Sequence, residues 1–97
     1  MVPFFSIKMT TIENKKNYSI KKLKKNYVIL NEETGRYLFT NESGKKIIDL
    51  LDRDSRLNRL VESFSRHFEI DIMVANSHVI EFISNGEKLG IFKIKNV

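Results

Sequence analysis

A chain of 97 residues, 41% hydrophobic and 30% charged, is long enough for one core and too short for two. It has no cysteine, which excludes disulfides, thiolate nucleophiles and cysteine-ligated metal sites, and no apolar run nears the roughly 20 residues that span a bilayer. The net charge is +5, but it is unevenly spread: residues 1–25 hold seven lysines against Glu13 alone, while the other 72 residues carry ten basic and eleven acidic side chains.

Residues 1–17 read as an N-terminal arm, and residues 18–97 as a single domain. Met1–Phe5 is apolar but lacks the basic lead of a secretory signal, so a cytoplasmic protein with no membrane partner is expected. Phe4, Phe5 and Ile7 are apolar enough to dock as a strand on the protein's own sheet or on a second copy, whereas Thr10–Asn17 is polar and lysine-rich. Tyr18, Ile20 and Leu23 mark a first short strand, and Lys24-Lys25-Asn26 a turn. Tyr27–Leu30 and Arg36–Thr40 are β-branched and aromatic runs. They are joined by Asn31-Glu32-Glu33-Thr34-Gly35, the composition of a hairpin loop.

After Thr40 the apolar period lengthens from two to 3.6. Asn41 is a good N-cap for a first helix over residues 42–52, with Ile47, Ile48, Leu50 and Leu51 on one stripe. Asp54 or Ser55 is expected to cap a second helix bearing Leu57, Leu60, Val61, Phe64 and Phe68. A third helix is expected from Ile72 to Lys88, with Ile72, Ala75, Val79, Phe82 and Ile83 on one face. Gly90 stops it, and Ile91–Ile94 has the makings of a closing strand. The expected fold is therefore α+β and winged helix-turn-helix-like: a small three-stranded antiparallel sheet followed by three helices.

Catalytic chemistry is scarce. His67 and His78 are isolated, and Glu69, Asp71 and His78 form no metal-ligand pattern. No serine lies in a nucleophile elbow, and Gly35, Gly44, Gly86 and Gly90 are too scattered for a phosphate loop. Neither an enzyme, a metal nor a cofactor is expected. Three surfaces remain. The lysines between Lys15 and Lys25 suit sequence-blind phosphate contact, or equally the protection of an edge strand. The third helix is a poor reader of DNA, because from 73 to 88 it carries Glu81 and Glu87 against Lys88. The strand Arg36–Thr40 offers a hairpin edge to which an extended peptide can add.

The order of these motifs resembles the PqqD family, also called the RiPP recognition element, over about residues 18–94. The resemblance rests on Phe39-Thr40-Asn41-Glu42-Ser43-Gly44 leading into Ile47-Ile48-Asp49-Leu50-Leu51, and on the aromatic-acidic step Arg66-His67-Phe68-Glu69. It rests also on His78-Val79-Ile80-Glu81-Phe82-Ile83, followed by Gly90-Ile91-Phe92. His78 stands where the family usually has aspartate, and Gly86 where a leucine is common. A mid-helix glycine costs about 1 kcal/mol relative to alanine. The resemblance implies a non-catalytic chaperone that binds the leader of a ribosomally made precursor peptide by strand addition. It would present that leader to a modifying enzyme, such as a radical S-adenosylmethionine enzyme or a leader peptidase. Carried onto this chain, the peptide-binding residues are Arg36, Tyr37, Leu38, Phe39 and Thr40, with Val74, Ser77, His78 and Glu81 on the flank of the third helix preferred over the flank of Met73 and Ile80. The alternatives are a winged-helix nucleic-acid binder using the lysine-rich N-terminal segment, without sequence-specific DNA contacts through the third helix, and a homodimer formed through the arm or the sheet edge.

Overall fold

The structure, a computed structural model, describes residues 10–96. In chain order the elements are β1 (Thr10–Asn14), β2 (Tyr18–Leu23), β3 (Asn26–Asn31), β4 (Tyr37–Thr40), α1 (Glu42–Leu51), α2 (Leu57–Phe68), α3 (Ile72–Leu89) and β5 (Phe92–Asn96). They form an α+β domain with two separate antiparallel sheets: β2-β3-β4 in that order, and β1 paired with β5. The expected three-stranded sheet and three helices are present. The second sheet is the main departure.

β1 falls in the stretch that reads as polar arm. Only Ile12 carries an apolar signal there, and it is buried in the core. What makes a strand of these residues is a partner at the far end of the domain: Ile12 faces Ile94, and Asn14 faces Phe92. The Thr10 hydroxyl donates to Asn96 Oδ1 at 2.7 Å. Lys95 lies 3.0 Å from Glu13 and, as donor and charge, holds that carboxyl below its ordinary range. A pairing so distant in sequence leaves no local trace. The expected docking of Phe4, Phe5 and Ile7 lies outside the described residues.

The three-stranded sheet turns Tyr27, Ile29 and Asn31 inward, with Ile29 facing Ile20 on one side and Leu38 on the other. Asn31 is buried and joins three segments. Its Nδ2 donates to Leu89 O at 2.8 Å, and its Oδ1 accepts from the backbone N–H groups of Glu33 and Thr34. One side chain thus ties the β3–β4 turn to the end of α3. The core is closed by Ile47, Leu60, Phe64, Val79, Ile83, Ile91 and Phe92, all nearly inaccessible. Ile72, expected on the buried face of the third helix, is exposed, because the first turn of α3 projects beyond the core.

Asn41 caps α1 as expected, accepting from the N–H groups of Ser43 and Gly44. The start of α2 differs. The helix begins at Leu57, and the N-cap position is Arg56, which offers no side-chain cap. The chain at Ser55 and Arg56 is engaged with β1: Ile12 N donates to Ser55 O at 2.8 Å, and Thr11 bridges to Arg56. Asp54 acts from outside the helix, accepting from Arg56 N and from both Nε and Nη2 of its guanidinium. That forked contact holds the Asp54 carboxyl at about 2, down from its ordinary 3.8. The folded state favours the ionised form, so the stabilisation is complete above pH 4 and is lost as pH falls toward 2. Both partners are partly exposed, so solvent screening keeps the effect small. Asp54→Asn should remove that component of the stability profile between pH 4 and 2. Urea unfolding at stepped pH checks it: a wild-type and variant difference that does not shrink on acidification contradicts the assignment.

α3 runs straight through Gly86 to a left-handed C-cap at Gly90, whose φ of 88° suits glycine. Gly86 is explained by packing. A Cβ there would run into the ring of Phe92, which lies against the helix backbone. The missing side chain lets β5 return across α3, and it lets Phe92 reach Tyr18 at 6.3 Å and Phe82 at 6.1 Å between ring centroids.

Candidate functional site: an open strand edge beside a helix

β4 ends the three-stranded sheet. One of its edges is paired with β3, and among the described residues no strand occupies the other. An unpaired edge presents N–H and C=O groups at alternate residues. Beside it lies an open groove of about 560 Å³. Leu38, Phe39 and Thr40 form one wall, and His78, Glu81, Phe82 and Asn85 of α3 form the other. The floor is the first turns of α1, at Ser43, Gly44 and Ile47, with Asn26 and Asn41 at the margin.

Sequence and packing account for this geometry. β4 alternates strictly, with Leu38 and Thr40 half-buried and Tyr37 and Phe39 exposed. The two walls run in opposite directions, since Arg36, just before β4, donates from Nη1 to Lys88 O at the end of α3, at 3.3 Å. At the other end Thr40 and Phe82 crowd against Gly44 so closely that a Cβ on Gly44 would overlap both. Gly44 thereby allows the α1 N-terminus to sit under the groove. Phe82 is both a core residue, 8% exposed, and part of the wall.

Of the residues expected from the sequence, Leu38, Phe39, Thr40, His78 and Glu81 converge on the groove. The flank of α3 that faces β4 is therefore the one bearing His78 and Glu81. Arg36 lies just before β4 and is directed to the end of α3. Tyr37 does not line the groove; its ring meets that of Phe39 edge-on at 5.4 Å. Val74 and Ser77 are exposed on the N-terminal turns of α3 and do not line the groove. Asn85 was missed, although it continues the i, i+3, i+7 flank begun by His78 and Glu81. Ser43, Gly44 and Ile47 were missed because nothing local indicates that α1 runs beneath β4. Among the described residues no cluster of three or more histidines and carboxylates is placed to hold a metal, and no helix is long and apolar enough to cross a membrane.

The fold and the groove define a small α+β domain with an accessible sheet edge walled by its last helix. The family model for coenzyme PQQ synthesis protein D (PqqD) matches residues 26–91, and the chain belongs to that family. The match spans β3 through Ile91 and so contains every residue that lines the groove. A solved structure described as TbiB1 in complex with the TbiA(beta) leader peptide is similar in fold. Its TM-score is 0.70 over 84% of this chain and 94% of that one, at 16% sequence identity. No curated protein matches the chain.

Proposed function

We propose that this protein is a non-catalytic chaperone that binds the leader segment of a ribosomally made precursor peptide as an added strand on β4. The observation that carries the proposal is the unpaired β4 edge beside an open groove whose other wall is α3. Strand addition needs such an edge for main-chain pairing and neighbouring pockets for alternate side chains. Inward-pointing residues of the added strand would meet Leu38, Ile47 and Phe82, and outward-pointing ones the Tyr37–Phe39 aromatic pair. Membership of the PqqD family, and the fold shared with a protein solved with a leader peptide, support the reading. The sheet followed by three helices supports a winged helix-turn-helix-like architecture, used here for a peptide instead of DNA. The peptide would be handed, in the cytoplasm, to a modifying enzyme such as a radical S-adenosylmethionine enzyme or a leader peptidase. A homodimer through the β4 edge would compete with the peptide for the same groups.

The test is a titration of labelled protein with synthetic peptides tiling the short open reading frames beside its gene, followed by amide shifts. Shifts should cluster on 36–44 and on the His78–Asn85 flank of α3. Val74→Asp, outside the groove, should weaken binding by less than tenfold, while Leu38→Asp should weaken it by on the order of thirtyfold, about 2 kcal/mol, by setting a charge beside apolar anchors. Shifts confined to residues 55–68 would place the binding surface elsewhere and refute the proposal.

A further inference from the structure

The groove and the margin beside it carry opposite charge. No lysine or arginine lines the groove, and Glu81 is its one carboxylate. Among the described residues no cation is within ion-pair distance of Glu81; the ion pairs lie elsewhere, such as Lys45–Asp49 on α1 and Arg66–Glu62 on α2. At one margin Asn26 opens β3 directly after the turn Lys24-Lys25. With Lys21 and Lys22 on β2, these residues make the tip of the β2–β3 hairpin a block of four exposed lysines, none in an ion pair among the described residues.

We propose, resting on the peptide-groove reading, that the charge order of the bound peptide is read at two points. A lysine or arginine of the peptide sits opposite Glu81, and acidic residues of the peptide pass the Lys21–Lys25 hairpin tip. The two contacts work differently. A peptide lying over Glu81 removes water from a carboxylate that shares the groove with Phe82 and Leu38, and only a cation or a strong donor on the peptide makes good that loss. Peptides with an acidic or apolar residue at that position are therefore rejected, and salt changes this little. The hairpin lysines remain in solvent, so they attract at longer range, speed association, and weaken as salt screens them. A peptide is favoured over a nucleic acid because the wall beside the hairpin is acidic: a phosphate backbone following the groove would meet Glu81.

The probe is a displayed library of random dodecapeptides, selected against the whole protein, against Glu81→Lys and against Lys24→Glu/Lys25→Glu. The substituted side chains are exposed, and the folding of each variant is checked by its melting curve. For the wild-type protein, selected peptides should alternate apolar residues, carry lysine or arginine at one fixed position, and carry aspartate or glutamate on one side of the strand. Glu81→Lys should convert the fixed position to aspartate or glutamate and leave the apolar positions unchanged. The double lysine variant should abolish the flanking acidic preference and lower affinity for a wild-type-selected peptide about tenfold at 50 mM salt, a difference that should vanish near 500 mM. Peptides that perturb the β4 and α3 amides but show no charge preference, or a preference that Glu81→Lys does not change, overturn this inference and leave the groove standing. Displacement of the peptide by duplex DNA at 50 mM salt, lost in the double variant, overturns its lysine half. Selection of no peptide, or of peptides that leave β4 and α3 unperturbed, overturns the groove itself.

Discussion

Phe82→Ala should destabilise the domain by about 3–5 kcal/mol and eliminate peptide binding with it. The ring is almost fully buried, stacks obliquely on Phe92 at 6.1 Å, and reaches the backbone of α1 at Gly44. Truncation leaves a void under the groove that its neighbours fill only in part, because Gly44 has no side chain to move into it. A domain of this size has a total stability of about 5–15 kcal/mol, so the variant loses a large fraction of it and, at the low end of that range, is close to half unfolded. Phe82→Leu keeps most of the volume and separates the two roles. It should lose less than about 1.5 kcal/mol and remain folded. If Phe82→Leu binds peptide like the wild type while Phe82→Ala is folded but does not bind, the ring acts chiefly as groove wall. If Phe82→Ala melts within a few degrees of the wild type, its place in the core is wrong. Thermal melting monitored by circular dichroism gives both answers.

Gly86→Ala is the second large effect, and its sign opposes helix propensity. Alanine in mid-helix is worth about 1 kcal/mol over glycine, so by propensity alone the change stabilises. The new Cβ, however, would enter the ring of Phe92, which is 1% exposed and held by Tyr18 and Phe82. Neither the ring nor the helix can yield without opening the β1–β5 sheet. Overpacking of this kind costs about 1–3 kcal/mol, and the net is a lowered melting temperature, about 4–8 °C per kcal/mol for a chain of this length. Gly86→Leu, which restores the residue common in the family, should be worse still. Phe92→Leu destabilises alone, but combined with Gly86→Ala it should cost less than the sum of the two, since the smaller side chain makes room for the methyl. Strict additivity in that cycle, or a Gly86→Ala protein that melts higher than the wild type, would contradict the packing.

Much of the fold is legible in the sequence because its signals are local. The β-branched and aromatic runs Tyr27–Leu30 and Arg36–Thr40, joined by a turn-forming loop that ends in Gly35, specify two paired strands. Asn41 followed by the stripe Ile47, Ile48, Leu50 and Leu51 specifies α1 and its start. In the candidate site the same locality identifies β4, and the His78–Glu81 spacing identifies one flank of a helix.

What escaped the sequence depends on distant partners. Thr10–Asn14 is a strand only because Phe92–Asn96 lies beside it, and the start of α2 is drawn out to Leu57 because Ser55 and Arg56 are held by β1. Gly86, a defect by helix propensity, is required by a ring six positions further on that folds back over the helix. The groove shares this character. Composition and periodicity determined that the chain makes a small sheet and three helices without evident catalytic groups. The tertiary structure alone decided that α1 runs beneath β4, that Phe82 serves core and wall together, and that Val74 and Ser77 lie beyond the groove while Asn85 lines it. The physical reason is that periodicity fixes which face of an element is apolar, whereas the angle and depth at which two elements meet are set by the volumes packed between them, here Gly44 against Phe82 and Gly86 against Phe92.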